Sequence, residues 1–157
     1  MLTVREHIDI AAPVDRVFDY MDTPAHQAAI TPSLTESTLI ERLPNGGSRA
    51  RYVYRIFGLS FSGEVHATDY APHERIVWSM KGDLQGTIRW YFKSTDTESA
   101  DAACRVTYAA TYQIPGPRLF RPLFRTLVRR YNEREVHRLL RNLKERIEAP
   151  TAPDPAF

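Results

Sequence analysis

The sequence predicts an α+β fold in which a curved, seven-stranded antiparallel sheet wraps around one long C-terminal helix, with two short helices after strand one. Three observations predict it: segments that alternate between apolar and polar residues, a long apolar stripe at helical spacing, and a length of 157 residues, which suits one domain. The composition, 43% hydrophobic and 25% charged, is typical of globular proteins and excludes a disordered or fibrous class.

The N-terminal segment predicts one strand and two short helices. Leu2–Ile10 alternates apolar and polar side chains, as a half-buried strand does. Val14–Met21 carries apolar side chains at spacings of three and four, and Pro13 suits the start of such a helix. Pro24 restarts the chain, and Ala25–Ile30 is helical by propensity.

Six further strands follow along the chain. A turn signal or a short polar connection separates each strand from the next, which is typical of antiparallel neighbours. Asn45-Gly46 lies between the first two of these strands and supplies the positive φ of a tight hairpin. The predicted strands are Leu34–Leu43, Ser48–Phe57, Leu59–Tyr70, Arg75–Met80, Leu84–Ser94 and Ala103–Ile114.

The C-terminal part of the chain predicts a long amphipathic helix. Apolar residues recur at spacings of three and four from Leu119 to Ile147, with a gap near Glu135. Such a helix has about 30 residues and a length of about 45 Å. Pro122 lacks a backbone donor, so it lies near the start of the helix or kinks it.

The two ends of the chain indicate where the domain stops. Residues 149–157 include three prolines and cannot continue a helix, so we predict one domain at 1–148 and a disordered tail. Met1–His7 lacks the basic and apolar blocks of a secretory signal, and no stretch approaches the roughly 20 apolar residues of a membrane span. We expect a cytoplasmic protein.

Alternation sorts the middle strands into a dry face and a wet face. A dry face must be covered, and the long C-terminal helix is the element large enough to cover it. The dry face is rich in tyrosine and tryptophan, and we predict that it comprises Tyr52, Tyr54, Ile56, Phe61, Val65, Ile76, Trp78, Met80, Leu84, Ile88, Trp90, Phe92, Val106, Tyr108, Ala110 and Tyr112.

The aromatic residues of the dry face predict a ligand cavity. Tyrosine and tryptophan combine apolar area with an O–H or N–H group that needs a partner when it is buried. Several such groups indicate a space for water or a ligand, between the sheet and the Leu119–Tyr131 half of the helix, whereas a filled core is the alternative. The candidate ligand-binding residues are Tyr52, Tyr54, Trp78, Trp90, Tyr108, Tyr112, Leu127 and Tyr131.

The sequence contains no motif for metal, cofactor or nucleophilic chemistry, so we predict no catalytic residue, metal or cofactor. The five histidines are scattered without a zinc-type spacing, and neither a phosphate loop nor a nucleophile elbow occurs. Cys104, in an apolar alternating run, is predicted to be a buried structural thiol. Glu64 and His66 share the wet face, where ion pairs with Arg51 or Arg55 explain them without acid–base chemistry.

Charge is distributed unevenly, although the net charge is only +2. Arg118–Glu148 holds ten Arg or Lys residues against four Glu. Within it, Arg118–Arg130 alternates basic and bulky apolar residues, as helices at membrane surfaces do, and a solvated helix face has the same pattern. We expect no nucleic-acid partner and keep a transient membrane-surface contact through Arg118–Arg130 as a hypothesis; the sequence predicts no oligomeric state.

Three phrases of the sequence resemble a known superfamily. His7–Met21 contains Ala-Pro before a Val-Phe helix, Ala71–Trp78 is a turn before an aromatic strand, and Tyr131–Lys144 is similar to the last helix of many bacterial and archaeal members. With the element order, they resemble the START-like, helix-grip superfamily (SRPBCC), which includes polyketide cyclase/dehydrase proteins, coenzyme-Q-binding proteins and plant hydrophobic-ligand binders. The resemblance spans about residues 2–148, and none of its phrases is a catalytic signature.

The resemblance implies a cavity for a small hydrophobic molecule. We therefore predict a protein that binds or transports a lipid, isoprenoid or polyketide-like ligand without catalysis. A polyketide cyclase or dehydratase that uses the same cavity is the alternative, and the shortage of carboxylate, His and Arg residues on the dry face argues against it. His26 falls in the region that resembles an entrance gate, and a solvated surface histidine is its other interpretation.

Overall fold

Seven strands, two short helices and one long helix are found in the described part of the chain, in the predicted order. The computed structural model describes residues 2–95, 102–113 and 121–149, with side chains in the last range from residue 126 onward. The helices are α1 (Val14–Met21), α2 (Pro24–Ile30) and α3 (Arg121–Glu148). The strands are β1 (Leu2–Ile10), β2 (Leu34–Arg42), β3 (Ser48–Ile56), β4 (Leu59–Ala71), β5 (Arg75–Gly82), β6 (Gln85–Thr95) and β7 (Ala103–Gln113).

The strands form one antiparallel sheet in the order β1-β7-β6-β5-β4-β3-β2, which confirms the predicted architecture. The first strand pairs with the last, in a register that runs from Leu2 opposite Tyr112 to Ile10 opposite Cys104. Burial follows the predicted alternation, because every member of the predicted dry face is buried or half-buried. The sheet therefore presents one apolar face that another element must cover.

At the turns, several strand ends differ from the prediction by one or two residues. β3 ends at Ile56 because Phe57 (φ 50°) and Gly58 (φ 77°) form the turn into β4. In the preceding hairpin, Gly46 takes the positive φ (91°) that the Asn-Gly pair predicted. The predicted strand end at Ile114 lies outside the described residues.

Helices α1 and α2 close one end of the apolar face. Val17, Phe18 and Met21 are the buried side of α1, as their spacing predicted. The Phe18 ring packs edge-on against Phe92 of β6, with the ring centroids 5.2 Å apart. Helix α2 begins at Pro24, which is tolerated there because the first helical residue needs no backbone donor.

Helix α3 has 28 residues and packs a buried stripe into the same core as the dry face. Pro122 is its second residue, so the helix is not interrupted. The predicted start at Leu119 and the predicted tail after residue 149 lie outside the described residues. Within the described part, no helix is long and apolar enough to cross a membrane. The buried stripe consists of Val128, Val136, Leu139, Leu140, Leu143 and Ile147.

Polar contacts fix the position of α3 along and around its axis. Arg16 Nη2 donates to the carbonyl oxygen of Ile147 at 2.9 Å, which satisfies a group at the end of the helix. Asn142 Nδ2 donates to the carbonyl oxygen of Ile30 in α2 at 2.8 Å. These directed bonds set which residues of α3 face the sheet.

The Tyr52 hydroxyl ties β3 to the turn between β5 and β6. Its oxygen lies 2.9 Å from the carbonyl oxygen of Lys81 and 3.0 Å from that of Leu84, and it accepts a hydrogen bond from the Leu84 N–H at 3.1 Å. Gly63 makes this approach possible, because a Cβ at that position would lie 2.6 Å from the hydroxyl oxygen and would collide with the Lys81 carbonyl.

We expect Tyr52→Phe to lower the free energy of unfolding by about 1–3 kcal/mol, because it leaves a buried N–H without its acceptor. Chemical denaturation measures this change. Tyr91→Phe is the matched control, since Tyr91 lies on the face of β6 opposite to the dry face. An equal loss in the two variants would show that the Tyr52 hydroxyl does not hold the turn.

Candidate functional site: a cavity between sheet and helix

A cavity lies between the sheet and the middle of α3, with an open volume of about 60 Å³. One water needs roughly 10–15 Å³ by this measure, so the space holds a few waters or a group of similar size. The sheet and the β5–β6 turn contribute Leu34, Tyr54, Ile56, Met80, Leu84, Ile88, Trp90, Tyr108 and Tyr112. Helix α2 and the residues after it contribute Gln27, Thr31 and Ser33, and α3 contributes Tyr131, Asn132, Glu135, Val136 and Leu139.

Five of the eight predicted ligand-binding residues line this cavity: Tyr54, Trp90, Tyr108, Tyr112 and Tyr131. The sheet brings them together because Trp90 of β6 lies opposite Tyr108 of β7, with their rings edge-on and the centroids 4.9 Å apart. Their participation in ligand binding stays a prediction.

The other three predicted residues lie elsewhere. Tyr52 is buried, with its hydroxyl bonded to the backbone of the β5–β6 turn, and Trp78 is buried in the core. Leu127 is 55% exposed, because it lies on the side of α3 opposite to the buried stripe. The α3 residues that line the cavity run from Tyr131 to Leu139, so within the described part of the predicted Leu119–Tyr131 half only the last residue, Tyr131, lines it.

Glu135 is the charged lining residue among several that the sequence did not predict. Its side chain is only 8% exposed, and its Oε1 accepts a hydrogen bond from the Ser33 N–H at 2.6 Å. The available signal was its position: Glu135 is seven residues after Val128 and four before Leu139, so it shares the face of the apolar stripe. The gap in the stripe is thus a carboxylate turned inward.

Further polar groups surround Glu135. Asn132, one turn earlier on α3, is 8% exposed and lines the cavity. Ser33 donates its N–H to Glu135, and its side chain lies close enough to the Tyr131 hydroxyl to lower the pKa of that group, against the larger effect of burial. Gln27 is held by a bond from its Nε2 to the carbonyl oxygen of Met21, at 2.9 Å. The apolar walls therefore meet a polar patch on the side of α2 and α3.

Burial controls the protonation of the tyrosines. It raises the pKa of Tyr54, Tyr108 and Tyr112 well above the ordinary value, and nearby groups, including the Glu135 carboxylate, add to the shift. The three hydroxyls therefore stay neutral over the physiological range. Chemically, the cavity offers neutral O–H groups, aromatic rings and one carboxylate.

Other sequence candidates lie away from the cavity. His26 stacks on Tyr20, with the ring centroids 4.3 Å apart, and its Nδ1 lies 3.0 Å from the Tyr20 carbonyl oxygen. Glu64 is exposed and pairs with Arg49 at 3.9 Å, a different partner from the predicted arginines. Cys104 is buried as predicted, and burial raises the pKa of its thiol.

Solved structures of several proteins have the same fold. A protein from Thermus thermophilus is 23% identical, with a TM-score of 0.80 over 96% of this chain and 99% of its own. A START superfamily protein from Mycobacterium smegmatis is 16% identical, with a TM-score of 0.68 over 93% of this chain and 97% of its own. The Zhui aromatase/cyclase from a Streptomyces species is 15% identical, with a TM-score of 0.65 over 94% of this chain and 96% of its own.

Sequence comparison gives the family. No curated protein matches the chain. The profile of a family described as polyketide cyclase/dehydrase and lipid transport matches residues 1–148. This assignment supports a ligand-binding or cyclase role and agrees with the helix-grip fold. The chain therefore belongs to the polyketide cyclase/dehydrase and lipid transport family.

Proposed function

We propose that the protein binds a small, largely apolar molecule in the cavity beneath α3 and carries or senses it without changing it. The observation that carries this proposal is the set of three hydroxyls, on Tyr54, Tyr108 and Tyr112, that line one cavity without a hydrogen-bond partner among the described residues. Buried hydroxyls need partners, so a filled core is a poor explanation of this space.

The lining supports a ligand group that has apolar atoms on one side and a small polar end on the other. Ile88, Met80 and Leu139 provide apolar walls, and burial against them contributes about 25 cal/mol per Å². The polar groups are concentrated on Gln27, Ser33 and the facing residues of α3. Such a distribution orients a ligand, because its polar end binds best beside these polar groups.

Exposed apolar side chains border the cavity and suggest where the ligand enters. We define the rim as Phe57 and Leu59, which are 47% and 63% exposed. The Phe57 ring lies 4.9 Å from the ring of Tyr131, and Leu59 is paired with Ile56; both partners line the cavity. Since the cavity holds only a small group, we infer that the rest of a longer ligand lies along this rim.

Glu135 supports a second candidate function, a cyclase or dehydratase. A carboxylate beside neutral tyrosines supplies a base and proton donors in one space, which acid–base chemistry requires. The shortage of carboxylate, His and Arg residues on the dry face was the reason to disfavour an enzyme, and Glu135 of α3 weakens that reason because it supplies a carboxylate from the facing helix. Binding remains the preferred proposal, because the small cavity suits one end of a ligand better than a folded reactive chain.

The two tryptophans allow a direct test of binding. Trp90 lines the cavity and Trp78 does not. We expect bromohexanol, whose bromine quenches tryptophan on contact, to quench Trp78→Phe saturably, since that variant retains the cavity reporter. Fluorescence titration makes the measurement.

Trp90→Phe is the matched control, because it retains the tryptophan outside the cavity. It is expected to show only weak quenching that rises linearly with concentration. Saturable quenching of both variants, or of neither, would contradict binding in this cavity.

A short poly-β-keto thioester separates carrier from cyclase. We expect mass spectrometry to recover the probe unchanged after incubation with the protein. A product that has lost one water, formed by the wild type and not by Glu135→Gln, would instead establish the enzyme. A boiled sample corrects for spontaneous cyclisation of the probe.

A further inference from the structure

We propose that the polar end of the ligand is a cation, a protonated amine or a quaternary ammonium group, held between the Glu135 carboxylate and the aromatic rings of the cavity. This inference rests on the proposed function and names the class of ligand that the site takes. It follows from the charge of the lining, its aromatic character and its size.

The Glu135 carboxylate is buried without a cationic partner among the described residues. Its Oε1 accepts a hydrogen bond from the Ser33 N–H. No ion pair between described residues includes Glu135. Arg134 and Arg138, the arginines nearest to it in sequence, are exposed. Buried charges in proteins are normally paired, because an unpaired one costs several kcal/mol of solvation. A ligand cation supplies the missing partner.

The position of the carboxylate leaves it accessible to a ligand. The Ser33 N–H is bonded to Oε1 at 2.6 Å, and no hydrogen bond to Oε2 is found among the described residues, so Oε2 can meet a ligand group in the cavity that Glu135 lines. The backbone bond also holds the side chain in place before the ligand arrives. A positioned carboxylate loses less entropy on binding than a mobile one.

The aromatic walls favour the same charge. Trp90 and Tyr108 meet edge-on, and Tyr54, Tyr112 and Tyr131 complete the aromatic part of the lining. The faces of such rings carry negative potential and attract ammonium groups. An anion meets repulsion from Glu135, and a neutral group leaves the carboxylate unpaired.

The volume fits a head group. An open space of about 60 Å³ accepts a small ammonium group, and the apolar rim then receives the attached chain. The ligand class is therefore an amine or ammonium with an apolar tail.

Three probes with the same six-carbon tail test the charge preference: hexyltrimethylammonium, hexanol and hexanoate. We expect isothermal titration calorimetry to give about tenfold or tighter binding of the ammonium probe relative to hexanol, and no measurable binding of hexanoate. Glu135→Gln keeps an oxygen that can accept the Ser33 N–H, and is expected to lose the ammonium preference while retaining hexanol. Glu133→Gln, an exposed neighbour on α3, is the matched control and should keep the preference.

Each outcome on the wild-type protein decides the inference, even where Glu135→Gln does not fold. Equal binding of hexanol and the ammonium probe overturns the cation assignment and leaves the proposed function standing. Binding of none of the three probes, together with an absence of saturable bromohexanol quenching, rejects both. A preference for the ammonium probe that survives unchanged in folded Glu135→Gln also overturns the assignment.

Discussion

The contact between α3 and the dry face of the sheet is the constraint on which the rest of the structure depends. An antiparallel sheet with one apolar face must be covered, and the stripe from Val128 to Ile147 provides the cover. Asn142 and Arg16 then fix the helix by directed bonds to α2 and from α1. Because the rotation of α3 is set in this way, the same contact determines which of its side chains face the cavity.

Glu135 is a charged residue within this otherwise apolar contact, and its inward carboxylate accounts for the cavity. An apolar residue at this position would continue the stripe between Val128 and Leu139. A buried carboxylate weakens such a contact, and a stable core alone gives no reason for it. Residues that break a local packing rule in an otherwise consistent fold are expected at functional sites.

Much of the fold could be predicted because period-two and period-3.6 patterns report burial directly. The dry face of the sheet and the buried stripe of α3 follow from such patterns. The site was predicted only in part. Tyr52 and Tyr54 have the same parity on β3, so alternation cannot tell that the Tyr52 hydroxyl turns to the Leu84 backbone while Tyr54 lines the cavity. Leu127 and Val128 are adjacent apolar residues, and only the rotation of α3 decides which is buried.

The most direct test of the account is a crystal structure of the protein with hexyltrimethylammonium. The account predicts the ammonium group in the cavity, in contact with the Glu135 carboxylate and the ring of Trp90, and the alkyl chain directed toward Phe57. Density for the probe only elsewhere on the protein, or a cavity filled by side chains with Glu135 turned to solvent, would contradict it.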